Sequence, residues 1–344
     1  MTWIQRALIA VALAGFGASV LAQQPAAPAE AIPAGLPEWA YTPPPPPGTP
    51  PPLSALPADD SVVLRMPGTE RTLTRGQVRG VEEIPDWHPE DHRGPVPQVV
   101  KIGRFKEGVR ACGFCHLADG TGRPENAAVN GLHVAYFTQQ MEDYKNGVRD
   151  SADPRKGNTN NMIGFARNAT AEEVRAAAEY FGAQPYPKKI KVIESRTAPK
   201  VRLQGGMHMA IVGEGAGIEP IGDHIVEVPD DALRAEARDT RMGYTAYVPV
   251  GSINKGKALA VRHQCATCHG ATLDGLGPVP PLAGRSPSYT MRQLFDMKVG
   301  TRRGPWSELM KPLVDKMTVE DMLNLSAYTA SLAPGAGRSG AGTR

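Results

Sequence analysis

The chain has 344 residues, a formal net charge of +3, 41 % hydrophobic residues and only four cysteines. A charge so close to neutral argues against a nucleic-acid binder, which needs a strongly basic face to meet phosphates. The length accommodates two domains with connecting segments.

The first residues, MTWIQRALIAVALAGFGASVLAQQ, place Arg6 before an apolar run from Ala7 to Leu21 and then small residues, with Ala22 at a cleavage position. That is the three-part pattern of a secretory signal peptide over 1–22. The competing reading is an uncleaved anchor, but the run is short against the roughly 20 residues a membrane span needs. The expectation is an exported, periplasmic mature chain that starts near Gln23. Loss of Arg6 leaves its net charge at +2.

Residues 23–58 contain TPPPPPGTPPPLSALP and are expected to form a Pro-rich flexible tether. Residues 59–97 are expected to form an irregular extension, with a short strand at SVVLRM. Its His88 and His92 suggest a metal site, but Pro89 and Pro95 prevent the helix that would align them. Packing of Trp87 onto the domain that follows is the preferred reading.

All four cysteines fall in two pentapeptides, CGFCH at 112–116 and CATCH at 265–269. A zinc site would draw four thiolates to one ion, and a redox pair would need no histidine. These pairs lie 153 residues apart and each carries its own His. C-x-x-C-H is the pattern of covalent haem attachment: two thiols bond the haem vinyl groups and the next His falls beneath the iron. The sequence therefore predicts two covalently bound haem c groups, held by Cys112, Cys115 and His116 and by Cys265, Cys268 and His269.

An internal repeat selects the remaining ligand of each iron. Tyr136 and Tyr289, Gly147 and Gly300, and the two haem histidines share the 153-residue shift. YFTQQMEDYKNGVR and YTMRQLFDMKVGTR align at Tyr, Gln, Asp, Lys, Gly and Arg. Beyond them the shift becomes 148, pairing Met162 with Met310, Thr170 with Thr318, and Tyr180 with Tyr328. Of the five methionines after the second motif, only Met310 has a Met counterpart. Other histidines have none: His133 pairs with Ser286, and His263 with Arg110. His/Met ligation follows, with iron ligands His116 and Met162 in one domain and His269 and Met310 in the other. The alternative is that both methionines are ordinary core fillers. Thr170 and Thr318 each precede acidic residues and predict helix N-caps.

With these residues, the chain resembles the dihaem class I c-type cytochromes, most of all the cytochrome c4 group. The resemblance covers about 98–185 and 251–334. It rests on the two pentapeptides with Met162 and Met310, the Tyr-x-x-x-Gln-x-x-Asp-x-Lys-x-Gly segments, and PPLAG at 280–284. It implies an all-α fold: cytochrome c domains at 98–185 and 251–334, joined by a long, mostly irregular connector at 186–250 with possible short strands. It also implies that Gly103 and Gly256 sit on N-terminal helices that cross the C-terminal ones closely. A carbonyl at Pro280 would accept a bond from the proximal His, and the corresponding residue in the first copy is Ala127.

The connector is expected to pack on both domains, with Met207, His208 and Met209 in a packed hairpin. Residues 335–344 are expected to be a disordered tail. A His/Met iron is saturated, so the expected function is single-electron transfer rather than catalysis, with no catalytic residue assigned. The expected partners are redox proteins: a dehydrogenase or quinol-oxidising complex as donor and an oxidase as acceptor, with no nucleic acid. The alternatives are a haem subunit of a membrane-associated dehydrogenase or oxidase complex, suggested by the extra segments, and a dihaem peroxidase-like enzyme.

Overall fold

Both copies of the repeat end in a thirteen-residue helix that starts on a threonine. In Ala171–Ala183 the Thr170 hydroxyl accepts from Glu173 N, and the Glu173 carboxylate accepts from Thr170 N. Thr318 and Asp321 repeat this reciprocal pair at the start of Val319–Ser331. Each pair satisfies two amide donors that the helix cannot bond itself.

The computed structural model describes residues 32–44, 48–49 and 54–335. The expected signal peptide (1–22) and most of the expected tail (336–344) lie outside the described residues, as does most of the polyproline run. Among the described residues, no helix is long and apolar enough to cross a membrane.

In the second copy, helix Ser252–Arg262 crosses Val319–Ser331 at Gly256. A Cβ at Gly256 would stand 2.0 Å from the Asn324 carbonyl oxygen and 2.6 Å from Tyr328 Cβ. Only glycine permits so close a crossing. Helix Pro287–Val299 completes the core through Met291, Leu294 and Phe295.

The first copy departs from the expected pattern at Gly103. Its opening helix is reduced to Gln98–Lys101, followed by two-residue strands at Gly103–Arg104 and Val109–Arg110. Gly103 and Gly108 adopt φ of +69° and +76°, which turn the chain where a helix would continue. Gly103 thus serves a tight hairpin rather than a helix crossing. Helices Val134–Lys145, Gly157–Asn168 and Ala171–Ala183 build the rest of this copy.

The all-α expectation holds only in part, because strand occupies 14 % of the described residues beside 39 % helix. The connector supplies most of the strand. Ile190–Glu194 pairs in parallel with Tyr244–Val248, which pairs antiparallel with Val226–Pro229. Val201–Gln204 and Met207–Ala210 form a hairpin across Gly205–Gly206, and Met207 and Met209 point into the core while His208 is half-buried on the other face. Thr197–Pro199 pairs with Ile218–Pro220. The physical reason is period-two patterning: Tyr244, Ala246 and Val248 are buried and alternate with partly exposed Thr245 and Tyr247.

The tether expectation fails at 36–44. A short helix, Glu38–Tyr41, is buried against the second domain, where the Tyr41 hydroxyl donates to Asp296 Oδ1 at 2.7 Å. Two aromatic residues, Trp39 and Tyr41, give this stretch the apolar surface that the proline run lacks. The extension also differs from expectation. Trp87 is fully buried, but among Leu56, Leu64, Met66, Val78 and Ala237, with its Nε1 donating to the Ala237 carbonyl. It therefore packs on the connector rather than on the first haem domain. His88 bonds Asp239 and His92 bonds Asp86.

Candidate haem sites

Each C-x-x-C-H segment folds as a five-residue helical turn, Cys112–His116 and Cys265–His269. Residues three apart share a helix face, so the two thiols of each turn lie on one side. His116 and His269 are buried behind them. His116 Nδ1 lies 2.8 Å from the Ala127 carbonyl oxygen, and His269 Nδ1 lies 2.8 Å from that of Pro280. A carbonyl oxygen only accepts, so each Nδ1 carries the proton and each Nε2 keeps a free lone pair. Burial lowers the pKa of both imidazoles and favours this neutral form. Burial also pushes the Cys112 thiol up to about 12 and raises Cys115 and Cys265. None of the four cysteines is in a disulfide.

In the first copy these groups open onto a cleft lined by Cys112, Cys115, His116, Phe137, Met162 and Phe165 among others. Met162 is carried by helix Gly157–Asn168 and lines the same cleft as His116. Met141 lines it too, which the repeat did not indicate because its counterpart is Leu294. In the second copy Met291, Met297, Met317 and Met322 are buried in the core, whereas Met310 is only partly buried beside it. The donor set fits haem c: paired thiols for the vinyl groups, a neutral imidazole nitrogen and a thioether for the iron, and apolar walls.

The two domains meet through a buried network that repeats with the sequence. Arg149 donates to Gln140 (2.9 Å), Tyr289 (3.0 Å) and Gln293 (3.2 Å). Arg302 donates to Gln293 (2.8 Å), Tyr136 (2.9 Å) and Gln140 (2.8 Å). Each residue of one triplet stands 153 positions from its equivalent in the other, so the interface is internally two-fold. The recurring Tyr, Gln and Arg were visible in the repeat, but nothing in one sequence told that they join the domains. Asp296 is buried in the same region, accepting from Tyr41 and from Ala152 N, and burial raises it to about 6.

The two attachment turns differ in cover. Phe114 lies beneath the guanidiniums of Arg110 and Arg238, at 3.3 and 3.7 Å from its ring centroid, and Arg238 Nε donates to the Phe114 carbonyl. A Cβ at Gly113 would meet Ile84 at 2.5 Å. In the second copy Ala266, Thr267 and Cys268 are exposed. Arg238 adopts φ of +60°, and its burial beside Arg123 presses its pKa down to about 9. Neither Arg238 nor the partner it would find was legible in the sequence.

The cytochrome c family model matches residues 253–333. A cytochrome c-554(547) of Halothiobacillus neapolitanus is 37 % identical over 76 residues, which cover 20 % of this chain and 84 % of that protein. A cytochrome c4 of Thiocapsa roseopersicina is 39 % identical over 91 residues, covering 26 % of this chain and 45 % of that protein. A thiosulfate dehydrogenase electron acceptor of Stutzerimonas stutzeri is 24 % identical over 238 residues, covering 68 % of this chain and 85 % of that protein. The chain belongs to the cytochrome c family and is a dihaem class I, cytochrome c4-like member of it. A cytochrome c domain implies covalently bound haem c, and electron transfer is its general activity.

Proposed function

We propose that this chain is a periplasmic carrier of single electrons, with one haem c in each domain and no catalytic activity of its own. The proposed ligands are His116 with Met162 and His269 with Met310, and the proposed attachment residues are Cys112, Cys115, Cys265 and Cys268. The observation that carries the proposal is the pair of 2.8 Å bonds from His116 Nδ1 to Ala127 and from His269 Nδ1 to Pro280, which leave both Nε2 atoms free in the same way. Bound haem supplies a one-electron couple at its iron. The chain's own residues do the rest. The backbone carbonyls fix each imidazole's tautomer and orientation, and the cleft walls exclude water. The Arg149 and Arg302 network holds the two domains in one arrangement, so little reorganisation accompanies a change of charge.

The proposed donor is a periplasmic dehydrogenase or quinol-oxidising complex, and the proposed acceptor an oxidase. The relative named as a thiosulfate dehydrogenase electron acceptor supports the dehydrogenase class of donor. The extension buries Trp87 and Ile84 within the chain.

The test is a haemochrome count with an optical and near-infrared spectrum of the oxidised protein. Two low-spin haems with a Met–iron band are expected. Met162→Leu and Met310→Leu should each remove half of that band and lower one potential, while Met141→Leu should leave both unchanged. A band lost with Met141→Leu would overturn the Met162 assignment. A high-spin haem in the wild-type protein would favour peroxidase-like chemistry instead.

A further inference from the structure

The two haem sites carry unequal charge. Arg110 and Arg123 of the first copy align with His263 and Leu276 of the second, and the connector adds Arg238 to the first alone. Arg110 lines the cleft with Cys112, Cys115 and His116. Arg110, Arg123 and Arg238 all lie near enough to Cys115 to favour its ionised form against the effect of burial. The Arg123 guanidinium meets the Glu125 carboxylate at 2.7 Å, so its charge is largely offset. Arg110 and Arg238 form no ion pair among the described residues; both lie over the Phe114 ring, and Arg238 donates to backbone carbonyls. Arg238, pressed down to about 9, is still a cation at neutral pH. The nearby carboxylates are already paired, Glu173 with Arg104 and Asp119 with Lys189.

In the second copy the sign is reversed. Asp274 stands where the first copy has Thr121, buried in the loop whose Gly275 N donates to the His269 carbonyl. The cations near this turn, Lys257 and Arg262, are exposed, where water and salt screen them. Access of water differs in the same sense. Gly113 is buried under Ile84, whereas Ala266, Thr267 and Cys268 are exposed. An oxidised haem iron carries one positive charge more than a reduced one. Buried cations and loss of water therefore disfavour the oxidised form and raise the potential, and a buried carboxylate or open solvent does the reverse.

We propose that the first-domain haem is the higher-potential centre and that Arg238 and Arg110 raise it, so that the electron of the singly reduced protein rests in the first domain. The connector thus supplies a charge that neither haem repeat encodes. The proposal rests on the electron-carrier reading. Transfer within the molecule oxidises the second iron from Fe(II) to Fe(III) and reduces the first from Fe(III) to Fe(II); no bond forms or breaks and no proton moves.

The experiment is a spectroelectrochemical titration of the dihaem protein, which should resolve two one-electron steps. Arg238→Gln should lower the equilibrium constant for reduction at the upper step about tenfold, ~59 mV for one electron, and leave the lower step within about twofold. Arg238→Lys keeps the charge and should hold the upper step within about threefold of wild type. Arg262→Gln removes an exposed charge of the second domain and should leave both steps within about twofold. Met310→Leu assigns the steps, since it should move the lower one alone. The haem count and Met–iron band of the Arg238 variants should match wild type, which separates a charge effect from lost ligation. If Arg238→Gln fails to take up both haems, Arg110→Gln gives the same reading at the upper step. The proposal falls if the wild-type protein titrates in a single unresolved wave, or if Met310→Leu moves the upper step. It also falls if Arg238→Gln leaves the upper step in place, or if Arg238→Lys lowers it as far as Arg238→Gln does. Failure of the carrier reading is separate: it would appear as a high-spin haem in the oxidised protein before any titration.

Discussion

The first and second haem domains solve one problem with different means. In the second, an eleven-residue helix crosses the C-terminal helix at a glycine and leaves the attachment turn open. In the first, that helix is four residues long, a two-strand hairpin follows, and the turn is sealed by segments from outside the repeat. Yet both imidazoles receive the same 2.8 Å contact, one from Ala127 and the other from Pro280. The contact is made by main chain, so the side chain at that position was free to change. What must be equal in the two copies is the backbone path around the histidine; what surrounds it can diverge.

The largest test of this comparison is at the helix crossing. Gly256→Val would force a side chain into the Asn324 carbonyl and should destabilise the second domain by more than about 3 kcal/mol. Calorimetry of the holoprotein should show that domain melting first. A variant that melts like wild type would mean the crossing is not what holds the second copy together.

Next comes the interface. Arg149→Ala and Arg302→Ala each strip buried glutamine and tyrosine partners and should cost about 2–4 kcal/mol. Because both guanidiniums share Gln140 and Gln293, the double variant should cost clearly less than the sum. Strict additivity in chemical denaturation would show that the domains do not share one network.

A buried carboxylate beside the interface gives a further test. Burial raises Asp296 to about 6 despite the hydrogen bond from Tyr41, which lowers it, and the folded state therefore holds its proton more tightly than the unfolded chain does. Its favourable contribution is complete below about pH 4 and is lost as pH rises through about 6. The change is on the order of 2–3 kcal/mol. Asp296→Asn should remove that part of the pH dependence when unfolding is compared at acid and neutral pH. The smallest effect, about 1 kcal/mol each, is expected where the copies agree: Thr170→Ala and Thr318→Ala remove equivalent caps and should lower stability alike.

The sequence made the repeated parts legible. The pentapeptides, the paired Thr caps and the methionine alignment each depend on local spacing, and local spacing survives in a single chain. The connector was half legible. The packed hairpin at 207–209 was read, but the parallel pairing of 190–194 with 244–248 is a long-range choice that no local pattern encodes. Tyr41, Met141 and Arg238 were not legible. Each gains its role from a neighbour more than 100 residues away or, for Met141, from a cleft closed by another helix. Arg238 also bears a left-handed backbone that non-glycine residues seldom adopt, a geometry imposed by the fold.

The parallel pairing of the connector's first and last strands has a consequence for how such a chain can change over time. The polypeptide leaves the first domain into Ile190–Glu194 and enters the second from Tyr244–Val248, and the two strands lie side by side. The span between domains is therefore set by one short ladder of about 17 Å at ~3.3 Å per residue. Everything from 195 to 243 is an excursion that returns to its starting line. Its glycine-bearing tip at 213–217, beside exposed Val212 and Ile218, is a place where added sequence would alter the molecule's outline while the haem-to-haem spacing stays as it is.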